Sequence, residues 1–161
     1  MEKIKVYLSA RIAKEAHEWN ERVCNSLNYP ISVFMPQKHN PWNLDHEKLP
    51  KEVREMDMKA MKEADICLLL PPYGRDCAWE IGWFSNTNKL IVIFVENETE
   101  WLRDWMLKGA IDYAITNDSK TWKKLTEDPI LKDKEIIYIN EIKDLKKVLI
   151  KIFNLNFTGG Y

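Results

Sequence analysis

The sequence predicts an α/β fold: one domain of about five parallel strands, with helices on both faces of the sheet. Three observations lead there. Short apolar runs alternate with amphipathic segments from end to end, a pattern that calls for a parallel sheet joined by right-handed crossovers. The 161 residues suit a single domain, residues 1–161, with its own core. No internal repeat, low-complexity tract or interdomain linker interrupts the pattern.

Taken in order, Ile4-Lys5-Val6-Tyr7-Leu8 reads as the first strand, followed by a helix over 12–27. Ile31-Ser32-Val33-Phe34-Met35 reads as the second strand. The polar loop over 36–50 is long for a compact α/β unit, and such loops often act as lids. Its His39, Asn40, Trp42, Asn43 and His46 could close over a flat ligand, or the segment could simply pack on the surface around Trp42. A helix over 51–64 leads into Ile66-Cys67-Leu68-Leu69-Leu70, whose apolar run before Pro71-Pro72-Tyr73-Gly74 marks a buried strand ending in a turn. A helix over 78–87 precedes residues 89–95, the most strand-like run of the chain. A short helix near 99–107, a short strand over 113–116, a helical stretch over 120–126, a strand over 135–139 and a helix over 141–153 complete the pattern. The tail, 154–161, reads as flexible coil ending in Tyr161. The expected strand order is 2-1-3-4-5, flavodoxin-like or Rossmann-like.

Composition narrows the function. The formal net charge of −1 leaves no electrostatic footprint for nucleic acid or an anionic membrane. Lysines crowd the last third but alternate with acids, as on a solvated helix face. Cys24, Cys67 and Cys77 lack CxxC spacing, which argues against zinc and against a disulfide framework. Cys67 falls in a core strand; Cys77 is either a reactive thiol or a small packing residue. Only five glycines are present, with neither a dinucleotide fingerprint nor a P-loop, and His17, His39 and His46 lack zincin spacing. Neither a metal nor a cofactor is expected. No signal peptide or membrane-spanning stretch is evident, so a cytoplasmic location is expected.

The chemistry centres on acids. Glu80 follows a strand end, where open α/β sheets bind ligands, and near the first turn of its helix the positive end would favour the ionised form. Asp57 interrupts the apolar stripe Val53, Met56, Ala60, Met61, Ala64, a costly place for a carboxylate unless it is paired (to Arg54 or a lysine) or sits in a cleft. Two such carboxylates can divide labour, one attacking an anomeric carbon and the other moving protons. Asp76 would push their pKa values apart. Arg11 could reach an anionic ligand or face solvent. Trp79 and Trp83 bracket Glu80 and are either packing residues or a wall for a heterocycle.

Four segments in order resemble the nucleoside 2-deoxyribosyltransferase family and its relatives that hydrolyse nucleotide N-glycosidic bonds. They are Lys5-Val6-Tyr7-Leu8-Ser9, the Asp57-to-Asp65 helix-to-strand segment, Trp79-Glu80-Ile81-Gly82-Trp83, and the ending Gly159-Gly160-Tyr161. The resemblance implies that Glu80 attacks C1′ of a deoxyribose to form a covalent glycosyl-enzyme, after which a second base takes the sugar. It implies further that Asp57 assists the departing base and that Tyr7 orients Glu80. Ser9, Arg11, Gly74, Asp76 and Trp79 are expected to line the substrate site. Tyr161 in the 154–161 tail would add a terminal contact. Where many members carry an aspartate for base recognition this chain has Gly74, with Asp76 the nearest acid. Family precedent implies a homo-oligomer, dimer or hexamer, with shared sites. Trp83 or the helix holding Trp101 and Trp105 would lie at a contact, and Tyr113 or Asp112 would enter a neighbour's site. The implied partners are a nucleoside or nucleotide and a free nucleobase; Arg11, Arg75 or Lys108 could meet a phosphate.

Overall fold

A computed structural model describes residues 3–96 and 103–158. Along the chain run β1 (Ile4–Ala10), α1 (His17–Ser26), β2 (Ile31–Phe34), α2 (Pro36–His39), α3 (Leu49–Glu63), β3 (Ile66–Leu70) and α4 (Arg75–Phe84). Then come β4 (Leu90–Val95), α5 (Trp105–Ala110), β5 (Tyr113–Thr116), α6 (Ser119–Glu127), β6 (Glu135–Tyr138) and α7 (Leu145–Phe157). The strands form one wholly parallel sheet of order β2-β1-β3-β4-β5-β6. This is the expected order with a sixth strand added: β6 pairs with β5 through Tyr113–Glu135 to Thr116–Tyr138 and carries the sheet one position further.

Both faces of the sheet are covered, which is why β3 and β4 are buried along their whole length and read as unbroken apolar runs. One core holds Val6, Leu8, Leu68 and Val92 against Val23 of α1 and Leu149 and Ile152 of α7. The other holds Tyr7, Cys67, Leu69 and Ile93 against Met61 of α3, Ile81 and Phe84 of α4, Leu107 of α5 and Leu125 of α6. Alternation along β1 therefore decides which side chains meet α3 and α4.

Several boundaries differ from those read in the sequence. A 3-10 turn at Lys14–Ala16 precedes α1, so the helix proper starts at His17. The 36–50 segment is partly helical: it contains α2, and α3 starts at Leu49 with Pro50 in its first turn, where a missing N–H leaves nothing unpaired. Helix α4 begins at Arg75, three residues early, because extended Gly74 (φ −91°, ψ 179°) is its cap. The face it buries is Cys77, Glu80, Ile81 and Phe84, a regular helical stripe. Residues Asn154 to Phe157 are not coil. They continue α7, with Phe157 packed on Phe153 one turn back (centroids 5.0 Å apart) and Asn156 donating to the Tyr113 hydroxyl at 2.9 Å. Gly159, Gly160, Tyr161 and Trp101 lie outside the described residues.

Candidate active site

Strand β1 and helix α4 build the centre of the site. Tyr7 and Ser9 are alternate residues of β1 and face α4 together. The Tyr7 hydroxyl donates to Glu80 Oε1 at 2.7 Å, and the Ser9 hydroxyl donates to Glu80 Oε2 at 2.6 Å. All three side chains are buried, Glu80 being 9% exposed. Glu80 lies in the second turn of α4, not the first, so the helix end does little for its charge. Burial pushes its carboxyl above the ordinary glutamate range. The two hydroxyls pull it back, and nearby Asp57 and Asp76 push it up again. Burial and the Glu80 charge drive the Tyr7 phenol far above its usual range, so Tyr7 stays a proton donor at every working pH.

Asp57 stands on the inner side of α3. Its partner is Asn40, whose Nδ2 donates to Asp57 Oδ1 at 3.0 Å; Arg54 and the lysines of α3 play no part. Burial raises the Asp57 carboxyl, the Asn40 donor opposes that shift, and Asp76 adds to it. Among the described residues, no cation pairs with Glu80 or Asp57. The centre is therefore a set of carboxylates held by neutral donors. Such an array suits a reacting group that becomes positive, as a sugar does when its glycosidic bond loosens.

The remaining candidates divide. Asp76 is exposed on the first turn of α4 but close enough to act on both acids. Gly74 has open space around its Cα. Trp79 is exposed, whereas Trp83 is half-buried and meets Phe84 edge-on at 5.1 Å. Ser9 is fully buried and its hydroxyl donates to Glu80, which makes it a support for the carboxylate. Arg11 is exposed and paired with Glu15 at 2.8 Å. Lys108 cannot serve a phosphate, because it is buried against Asp128 at 2.5 Å. Tyr113 is half-buried and packs against the core on the opposite face of the sheet from Tyr7, and Asp112 accepts the Ile91 backbone N–H at 2.8 Å. Neither reaches Glu80 of the same chain. Tyr161 lies outside the described residues. Cys77 is buried, and burial beside Glu80 raises its thiol to about 11, which leaves it an unreactive packing residue at neutral pH.

A cavity of about 430 Å³ between β1, β2 and α3 includes Lys5, Phe34, His39 and Lys59 but neither Glu80 nor Asp57. Phe34 joins it to the site, stacking on Tyr7 at 5.7 Å and on His39 at 5.0 Å. Sequence reasoning missed Asn40 as the partner of Asp57. Its only signal was a place in the polar 36–50 loop.

A family model described as nucleoside 2-deoxyribosyltransferase like matches residues 3–99, more than half of the chain and all of the site just described. The chain belongs to this nucleoside 2-deoxyribosyltransferase-like family. No curated protein matches it. Among solved structures, a 2-deoxyribosyltransferase from the psychrotolerant bacterium Bacillus psychrosaccharolyticus is similar, with TM-score 0.59 and 17% identity over 88% of this chain and 90% of that one. A conserved protein from Enterococcus faecalis V583 is also similar, with TM-score 0.57 and 13% identity over 93% and 99%. At these identities the likeness establishes the fold, a Rossmann-like sheet with helices on both sides. No helix among the described residues is long and apolar enough to cross a membrane.

Proposed function

We propose that this family member is an enzyme that cleaves the N-glycosidic bond of a deoxynucleoside through a covalent glycosyl-Glu80 intermediate and passes the sugar to a second base. The observation that carries this reading is the setting of Glu80: a buried carboxyl group with no counter-cation among the described residues, fixed by two neutral hydroxyls. Ionised, it attacks C1′ as the bond to the base nitrogen breaks. Asp57, whose carboxyl burial raises, supplies the proton the leaving base needs. The second base then enters from the vacated side and gives its N–H proton to Asp57 as Glu80 departs. Two inversions give net retention. Gly74, Asp76 and Trp79 border the substrate. A homo-oligomer is part of this reading, with Tyr113 serving a neighbouring subunit. Mixing a Glu80 variant with a Tyr113 variant should restore activity if sites are shared.

The test is intact mass after brief exposure to a 2′-fluoro-2′-deoxynucleoside. A sugar adduct on the parent, absent from Glu80→Gln, is expected. Turnover without an adduct would overturn the covalent route, and ligand binding without turnover would indicate a nucleotide-sensing module. A second reading, hydrolysis of a nucleoside 5′-monophosphate, is favoured by Arg75, exposed at the first position of α4 where a phosphate could be met. Incubation with a deoxynucleoside, or its monophosphate, and a second free base separates the two. Base exchange indicates transfer, whereas free sugar or sugar phosphate indicates water as acceptor.

A further inference from the structure

Asn40 is a buried residue with half of its side chain idle. It caps the end of α2 and is 6% exposed. Its backbone N–H donates to Pro36 at 3.2 Å and its carbonyl accepts from Trp42 at 2.9 Å, so the main chain is fixed on both sides. Nδ2 donates to Asp57 Oδ1 at 3.0 Å, while Oδ1 is buried and accepts from none of the described residues. A buried acceptor left alone is uncommon and weakens the fold. It also means that nothing except Asp57 dictates which way the amide faces.

We propose that Asn40 is the positioning residue for Asp57, an amide that holds the ionised carboxylate in place by donating to it from Nδ2. When Asp57 is ionised, Nδ2 donates to it, as observed. The inference rests on the reading of Asp57 as proton carrier. Asp57 loses its proton to the departing base nitrogen as the C1′–N bond breaks. It regains one from the incoming base N–H as the new bond forms, so the cycle closes with no net proton.

The groups coupled to Asp57 are Asp76 and Glu80 from α4, Tyr7 from β1 and Asn40 from the segment after α2. Asn40 is the one that favours the ionised carboxylate, by donating to it. Removing it leaves burial and Asp76 unopposed. The decisive measurement is a carbon-13 NMR titration of the Asp57 carboxyl, without substrate, in the parent and in Asn40→Ala. The midpoint is expected about one pH unit higher in the variant, with kcat about tenfold lower and KM within about twofold. An unshifted midpoint in folded Asn40→Ala overturns the proposal, even if thermal stability falls. Should Asn40→Ala fail to fold, Asn40→Asp keeps the shape. Its added carboxyl is expected to split the Asp57 titration into two steps, and a single step at the parent midpoint overturns the proposal. The titration needs no turnover, so its failure is distinguishable from failure of the glycosyl-transfer reading, which is judged by the sugar adduct.

Discussion

Lys108 on α5 and Glu80 on α4 are both buried, 3% and 9% exposed, on helices that pack side by side. Their surroundings differ. Lys108 meets Asp128 at 2.5 Å, and Asp128 also accepts the Ile130 backbone N–H at 2.9 Å. Burial would lift the Asp128 carboxyl, but the ammonium and the amide outweigh it and hold it below the ordinary range. Glu80 has two hydroxyls, no cation among the described residues, and two further acids that push its carboxyl up. Burial alone therefore does not mark a functional charge. A buried charge denied a counter-ion does, because the fold bears its desolvation and leaves it able to react.

The widest break in this comparison is Glu80→Gln. The proposed nucleophile is lost, and kcat should fall by at least about four orders of magnitude. The same change should raise the melting temperature at neutral pH by a few degrees. The sign follows from linkage: the folded carboxyl titrates above its unfolded value, so its contribution to stability is complete below the unfolded pKa and fades as pH rises through the folded one. Thermal melts at several pH values should show the gap between variant and parent widening with pH. A variant that melts below the parent at every pH would contradict it.

Lys108→Met tests the other side. Leaving the partly buried Asp128 without its ammonium should cost about 1–3 kcal/mol in urea unfolding, with kcat of the folded enzyme within about twofold of the parent. Adding Asp128→Leu should recover part of that loss.

Smaller still, Tyr7→Phe removes one of the two hydroxyls and should lower kcat about 10–100-fold. Because that hydroxyl holds the Glu80 carboxyl down, the acid limb of the kcat profile should move to higher pH, and a fixed limb would deny Tyr7 this role. Arg11→Ala comes last. Its exposed pair with Glu15 should be worth less than about 0.5 kcal/mol. An unchanged KM for a nucleoside combined with a raised KM for its 5′-monophosphate would assign Arg11 to phosphate contact.

Much of the fold was legible because β3 and β4, covered on both faces, are unbroken apolar runs that no amphipathic helix would show. The strand over 135–139 was read but not its place in the sheet, since β6 is a short edge strand only partly buried. The start of α4 was displaced because Gly74 after two prolines reads as a turn residue, whereas its extended backbone caps the helix. In the site, periodicity could single out Asp57 as an acid on an apolar stripe. It could not join residues 73 positions apart, as Tyr7 and Glu80 are. Ser9 reads as a ligand contact until the packing of β1 on α4 shows its hydroxyl donating to Glu80. Asn40 carries no pattern at all, because its partner lies on a different element.

The two hydroxyls that steady Glu80 sit two positions apart on one strand, Tyr7 and Ser9. Between and beyond them lie Leu8 and Ala10, whose side chains belong to the opposite core. Sliding β1 by a single residue would thus exchange both hydroxyls for hydrocarbon at once and strand an acid in an oily interior. The reactive centre and the strand's alignment stand or fall together, so natural variants should tolerate insertions in the turns flanking β1 far more readily than one between Val6 and Ala10.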